Sequence, residues 1–262
     1  MRVDPVRFDG AAPVLYRNPM DLAGILFDKD GTLVDFDATW GGAAHHVMQQ
    51  MSGGDPAVYA RIAAAMHYLP ETRRFRPTSP MIAGSTADYA ALWAEILGRP
   101  SDPLLFAELD RRFSAAALDT MLPLGDPASV FAVLHERGFR LGIATNDAEA
   151  SARAQCERLG LVPLLDFIAG YDSGHGGKPD PGMVLGFARH IGADPAEIAL
   201  VGDSVHDLEA ARAAGAIAIA VLSGPAQRPA LEPHADHVID AVADLPALLT
   251  RLGLTSRVGR AA

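Results

Sequence analysis

The chain has 262 residues, of which 49% are hydrophobic, and a net charge of -10. This length and composition are typical of a folded protein with one large domain, or with a core domain that carries a smaller one. The acidic excess argues against nucleic acid or an anionic membrane surface as a partner. The sequence shows neither a charged leader nor an apolar run of about 20 residues, so we expect a cytoplasmic protein without membrane contact.

Short apolar runs alternate with helical patterns along much of the chain. Residues 1–21 are expected to form an irregular arm or a short extra strand, and residues 257–262 a loose tail. Strands are predicted at residues 23–27, 140–144, 167–170, 198–201, 217–221 and 237–239. Helices are predicted at residues 128–137, 149–159, 181–191, 208–214 and 242–252. This alternation predicts a parallel sheet with right-handed crossovers.

The stretch between residues 36 and 118 has a different pattern. Its apolar residues recur near the 3.6-residue period of a helix, with Gly or Pro between the segments. Helices are predicted there at residues 40–51, 56–66, 86–97 and 103–118. We therefore predict an α/β fold, a doubly wound parallel sheet with an inserted all-helical domain. The core domain would comprise residues 1–35 and 119–262, and the helical domain residues 36–118.

The first strand ends in the most informative segment of the chain. Its apolar residues lead into Asp28 and Asp30, which are followed by a Gly-Thr turn. Ligands of open parallel sheets bind beyond the carboxyl ends of the strands. Two carboxylates at that place are costly unless a cation or a reaction needs them. One of them could therefore be a nucleophile beside a hard metal ion.

Polar side chains also follow the other strands. In chain order they are Thr145, Asn146, Lys178, Asp203 and Asp207. Because parallel strands end at one edge of a sheet, we expect Thr145, Lys178 and Asp203 to converge with Asp28 and Asp30. Carboxylates brought together repel one another, and all-oxygen ligands favour Mg²⁺ as the cation that relieves the repulsion. A lysine and a threonine then suit phosphoryl oxygens, which indicates a phosphorylated substrate.

These residues resemble, in order, the four motifs of the haloacid dehalogenase superfamily. The resemblance covers about residues 23–252, and the helical insertion looks like the small C1-type cap of that superfamily. The matching segments are Asp28-Lys29-Asp30-Gly31-Thr32, Thr145, Lys178, and Gly202-Asp203-Ser204 with Asp207. The resemblance implies a Rossmann-like core domain with a cap, and an enzyme that uses magnesium.

The resemblance also implies catalytic roles. Asp28 would attack phosphorus and form an aspartyl-phosphate. Asp30 would protonate the leaving oxygen and then activate the water. Thr145 would hold a phosphoryl oxygen and Asn146 would add a phosphate contact. Lys178 would orient Asp28 and neutralise developing charge.

The same resemblance implies the metal ligands and the reaction class. Magnesium would be bound by the carboxylates of Asp28 and Asp203 and by the main-chain oxygen of Asp30. Asp207 would act behind these ligands or through a water molecule. The acid at Asp30 favours hydrolysis of a phosphate ester over dehalogenation, and the helical insertion contains no lysine for phosphonate chemistry.

The sequence leaves the substrate open. The resemblance is greatest to phosphoglycolate phosphatase-type members, whose substrate is a small phosphorylated carboxylic acid. The cluster of Arg73, Arg74 and Arg76 is either a solvated patch or a source of one arginine for a substrate carboxylate. A sugar phosphomutase would use the same residues, and a noncatalytic phosphoacceptor or regulatory protein is less favoured. The oligomeric state is not predicted.

Overall fold

The structure is a computed structural model that describes residues 21–82 and 84–256. The expected arm over residues 1–20 and the expected tail over residues 257–262 lie outside the described residues. Asp21–Leu22 form a short strand that pairs in parallel with a second short strand, Thr255–Ser256. Across the described ranges, no helix combines the length and the apolar character needed to cross a membrane. The cytoplasmic location stays a prediction.

The strands and helices alternate as the sequence predicts. The strands are β1 Asp21–Leu22, β2 Gly24–Phe27, β3 Tyr68–Leu69, β4 Arg74–Phe75, β5 Arg140–Ala144, β6 Phe167–Ala169, β7 Ile198–Gly202, β8 Ile217–Val221, β9 His237–Ile239 and β10 Thr255–Ser256. The helices are α1 Gly42–Met51, α2 Pro56–Ala65, α3 Thr86–Leu97, α4 Pro103–Thr120, α5 Pro127–Glu136, α6 Glu149–Arg158, α7 Gly182–Ile191, α8 Val205–Ala214, α9 Arg228–Leu231 and α10 Leu245–Arg251.

A parallel sheet positions the site. Within the described ranges it has six strands in the order β6-β5-β2-β7-β8-β9, which confirms the α/β fold class. Phe27 at the end of β2 pairs with Ile143 of β5 on one side and with Val201 of β7 on the other. Because these three strands run in the same direction, the residues that follow them emerge side by side at one edge.

The sheet is covered on both faces, which explains why its strands are apolar throughout. Ile25 and Phe27 pack into one buried cluster, whereas Leu26 between them packs into another on the opposite face. This is the alternation that a pleated strand imposes. The helices of the insertion have a third cluster, whose buried members all fall between Phe36 and Ala117.

Several local features differ from the sequence prediction, among them the unpredicted short helix α9 and short strand β10. Residues 68–75 form a small antiparallel hairpin, β3–β4, within the stretch predicted to be all helical. A π-helical turn, Asp37–Gly41, precedes α1. The last predicted helix begins as a 3₁₀ turn, Val242–Asp244, before α10. None of these changes the order of the sheet.

Candidate active site

Asp28 and Lys178 form the centre of the site at the carboxyl edge of the sheet. Asp28 follows β2, and its backbone N–H donates to the carbonyl oxygen of Val201 at 2.8 Å. Lys178 lies between β6 and α7, and its Nζ donates to Asp28 Oδ1 at 2.5 Å and to Asp207 Oδ1 at 2.5 Å. All three charged side chains are buried. The lysine thus offsets the charge of two carboxylates inside the protein.

Asp203, which follows β7, completes a cluster of carboxylates. Among the described residues, Asp28, Asp203 and Asp207 offer oxygens that lie within 4.8 Å of one another. Burial raises the pKa of Asp28 to about 7, with Lys178 opposing the shift and Asp207 and Asp30 adding to it. Burial and the charges of Asp28 and Asp207 raise the pKa of Asp203 well above its usual value. A divalent metal ion would offset this excess of negative charge, and the all-oxygen donor set fits a hard ion.

The carboxylate of Asp203 is held in place by close neighbours. Thr32 Oγ1 donates to Asp203 Oδ1 at 3.2 Å. Gly31, at a φ of 84°, and Gly224 both approach Asp203 so closely that a Cβ on either would overlap with the carboxylate. Ser223 Oγ in turn donates to the carbonyl oxygen of Gly31 at 2.8 Å. The first motif and the loop after β8 therefore enclose this aspartate together.

Thr145 and Asn146 connect the end of β5 to the loop that carries Lys178. Asn146 Nδ2 donates to the carbonyl oxygen of Lys178 at 2.8 Å, and the Lys178 N–H donates to Asn146 Oδ1 at 2.8 Å. The Oγ1 of the buried Thr145 accepts from the N–H of Asp147 at 3.1 Å. Asn146 thus holds the backbone of Lys178, a role that the sequence did not indicate. Its phosphate contact stays a prediction.

Asp207 supports Lys178 from the first turn of α8. Its Oδ2 accepts from the N–H of Ser204 at 3.0 Å and from Ser204 Oγ at 2.6 Å, while Ser204 Oγ accepts from the N–H of Asp207 at 3.3 Å. This capping box starts the helix at Val205, three residues before the predicted start. The other carboxylate oxygen is bound to Lys178, so Asp207 is a fixed partner of that lysine.

Asp30 contacts two residues that the sequence reasoning missed. Lys29 Nζ donates to both carboxylate oxygens of Asp30, at 2.7 and 2.6 Å. Trp40 Nε1 donates to Asp30 Oδ1 at 2.6 Å from the π-helical turn, a geometry that often marks functional sites. The position of Lys29 between two aspartates at the end of a buried strand could have identified it from the sequence. Trp40 is not distinguished by any sequence motif.

A cavity of about 70 Å³ opens onto these groups. The sheet edge contributes mainly polar residues to it, whereas the helical insertion contributes mainly apolar ones. The residues on the sheet side are Asp28, Asp30, Thr145, Asn146, Asp147, Lys178, Asp203, Ser204 and Pro225. Those from the insertion are Phe36, Trp40, Met81, Ile82, Gly84, Thr86, Tyr89, Asp110 and Phe113. The predicted site residues thus meet at one cavity under the helical insertion.

The arginine cluster lies elsewhere. Arg73, Arg74 and Arg76 are exposed, and none of them is among the described residues that line the cavity. Arg74 Nε is 3.3 Å from Asp37 Oδ2, an ion pair between an exposed arginine and a half-buried aspartate. This placement favours a solvated patch over contact with the substrate.

Comparisons with known proteins agree with the fold and with the motifs. The family model of haloacid dehalogenase-like hydrolases matches residues 22–215. The probable phosphatase IndB of Dickeya dadantii is 31% identical over 76% of this chain and 81% of its own length. A phosphoglycolate phosphatase of Agrobacterium fabrum is 30% identical over 87% of this chain and 92% of its own length. A hydrolase structure from Pseudomonas syringae superposes with a TM-score of 0.63 at 23% identity, covering 87% of this chain and 98% of that one. The chain therefore belongs to the haloacid dehalogenase-like hydrolases.

Proposed function

We propose that this hydrolase is a magnesium-dependent phosphatase that cleaves a small phosphate monoester through an aspartyl-phosphate. The observation that carries the proposal is the buried pair of Asp28 and Lys178, which lines the cavity together with Asp30. A carboxylate that is oriented by a lysine and open to a cavity is arranged as a nucleophile. The relatives named as phosphatases support the same reaction class.

The proposed reaction has two steps. In the first, an oxygen of Asp28 bonds to phosphorus while the ester P–O bond breaks, and Asp30 gives its proton to the leaving oxygen. In the second, a water oxygen bonds to phosphorus, the bond to Asp28 breaks, and Asp30 takes a proton from the water. Thr145 and Lys178 would hold phosphoryl oxygens during both steps.

The residues present fit a magnesium ion. Asp28 and Asp203 would hold it with carboxylate oxygens, and the main-chain oxygen of Asp30 is proposed as a third ligand. When bound, the ion would supply positive charge for phosphoryl oxygens. Asp207 would stay paired with Lys178, whose Nζ donates to Asp207 Oδ1 at 2.5 Å.

We also propose that residues 1–35 and 119–262 form the core domain and that residues 36–118 form a cap. The separate buried cluster of the insertion supports this division. The cavity lies where the insertion meets the sheet edge, so closure of the cap over a bound ester would exclude water during transfer. The small cavity favours a small phosphate ester, of which phosphoglycolate, with glycolate as its leaving group, is one example.

The decisive experiment is the substitution Asp28→Asn. We expect loss of phosphate release from p-nitrophenyl phosphate in the presence of Mg²⁺, because the amide is not a competent nucleophile. The matched control is Asp119→Asn, the same change at an exposed position of α4. Activity of the Asp28→Asn variant equal to that of the control would refute the assignment.

The sugar phosphomutase remains the alternative because its chemistry uses the same residues. A phosphatase passes the phosphoryl group to water, whereas a mutase returns it to a sugar hydroxyl. Incubation with a sugar phosphate therefore separates the two. Inorganic phosphate in solution supports the proposed function, and accumulation of an isomeric sugar phosphate without phosphate contradicts it.

A further inference from the structure

Lys29 is a buried lysine to which neither the motifs nor the proposed reaction assigns a role. It is fully buried, at 0% exposure. The sequence contains 22 basic residues, yet only two of them are lysines, Lys29 and Lys178. Both lie at the carboxyl edge of the sheet beside an aspartate of the first motif. A chain that otherwise uses arginine for positive charge thus places a compact ammonium group at each of these two positions.

The ammonium group of Lys29 is fixed from two sides. Toward the cavity it donates to both oxygens of Asp30, at 2.7 and 2.6 Å. On the other side it donates to Gln155 Oε1 at 2.9 Å and lies 3.3 Å from Asp147 Oδ2. Gln155 is itself fully buried in α6 and donates to Ser151 Oγ at 3.2 Å. The position of the lysine is therefore set by α6 as well as by Asp30.

The lysine is paired with two carboxylates. Its Nζ lies 2.6 Å from Asp30 Oδ2 and 3.3 Å from Asp147 Oδ2. Removing one partner of a buried, hydrogen-bonded charge pair is costly. The Asp30 carboxylate is thus bound to a cation that cannot move far, and its orientation is restricted accordingly.

We propose that Lys29 is a positioning residue that holds Asp30 in place for proton transfer to the leaving oxygen and from the attacking water. This inference rests on the proposed phosphatase reaction, in which Asp30 is the acid and base. General acid–base catalysis contributes roughly 10²- to 10⁴-fold, and a misplacement of about 1 Å can cost about 10²-fold. Displacement of Asp30 is therefore expected to lower the rate markedly for substrates whose leaving group needs a proton.

The test compares two esters of similar size in the Lys29→Met variant. Nitrophenolate leaves p-nitrophenyl phosphate readily without a proton, whereas the alkoxide of benzyl phosphate needs one. We expect kcat/KM for benzyl phosphate to fall about 100-fold and kcat/KM for p-nitrophenyl phosphate to stay within about threefold of the unsubstituted enzyme. Because Asp30 also activates the water, hydrolysis of the aspartyl-phosphate should slow in the variant. For p-nitrophenyl phosphate, kcat and KM should then fall by the same factor, so kcat/KM is unchanged. A burst of one nitrophenolate per active site should then precede the slow turnover.

A purely structural role predicts a different result. Loss of folded enzyme would reduce kcat/KM for both esters by the same factor and would produce no burst of one per site. Such an equal loss would overturn the proposal, as would equal activity of the variant and the unsubstituted enzyme on benzyl phosphate. Failure of the unsubstituted enzyme to release phosphate from any ester would instead refute the proposed function.

A second variant keeps the test decisive if Lys29→Met does not fold. Gln155→Met removes one support behind the ammonium group but leaves the pair of Lys29 and Asp30 intact. We expect a loss of roughly threefold to tenfold in kcat/KM for benzyl phosphate and no change for p-nitrophenyl phosphate. No change for either ester would show that the position of Lys29 does not matter and would overturn the proposal.

Discussion

Lys178 should be a strong determinant of stability as well as of activity. Its Nζ lies 2.5 Å from both Asp28 and Asp207, and all three side chains are buried. Lys178→Met removes the cation and leaves two buried carboxylates without it. Breaking a buried pair in this way costs about 3–5 kcal/mol, and two stranded partners place the expected loss near the upper end. With about 2–4 °C per kcal/mol for a chain of this size, Tm should fall by roughly 8–20 °C.

Thermal and urea unfolding in EDTA at pH 8 would measure this loss. That pH lies above the raised pKa of Asp28, about 7, in the unsubstituted protein. Because Lys178 opposes the rise of this pKa, its removal raises the pKa of Asp28 further, so the loss should be greater at pH 8 than at pH 6, where protonation relieves more of the cost. The matched control is Arg153→Met, which removes an exposed ion pair with Glu149 at 3.0 Å. An exposed pair contributes at most about 1 kcal/mol. A loss in Lys178→Met no larger than in the control would refute the reasoning.

Three further predictions follow from the same site. The raised pKa of Asp28, about 7, means that its contribution to stability is present below about pH 4 and lost as the pH rises through 7. In EDTA, the Tm of the neutral Asp28→Asn variant minus the Tm of the unsubstituted protein should therefore increase as the pH rises from 4 to 8. A difference in Tm that does not change with pH would contradict this. EDTA should stop phosphate release and Mg²⁺ should restore it; turnover that persists in EDTA would reject the metal proposal. Asp110 lines the cavity from the insertion, where its negative charge would repel the carboxylate of phosphoglycolate. Asp110→Asn should therefore raise the ratio of kcat/KM for phosphoglycolate to kcat/KM for p-nitrophenyl phosphate by about threefold to tenfold. The same ratio should not change in Asp119→Asn, a substitution at an exposed position. An equal rise in Asp119→Asn would assign the effect to net charge.

The fold could be predicted where periodicity was strong. The strands at residues 140–144, 217–221 and 237–239 and the helix at residues 86–97 have the predicted bounds. The hairpin at residues 68–75 could not be predicted because strands of two residues are too short to show alternation. The early start of α8 depends on side-chain capping by Ser204 rather than on apolar spacing.

The candidate site could be predicted in part because topology brings strand ends together. Asp28, Thr145 and Asp203 follow three adjacent strands, so their convergence follows from a parallel sheet alone. The partners of Asp30 depend instead on how distant segments pack. Trp40 reaches Asp30 through a π-helical turn, and apolar spacing predicted only an ordinary helix at that position.

The two glycines beside Asp203 have a consequence for the metal ion that this carboxylate would accept. A carboxylate flanked by Gly31 and Gly224 has little room to swing or to bind an ion with both oxygens in a wider geometry. Mg²⁺ demands short, nearly octahedral coordination, whereas Ca²⁺ accepts longer and more flexible arrangements. In the proposed magnesium site, the loop after β8 would therefore favour Mg²⁺ over Ca²⁺ through Gly224.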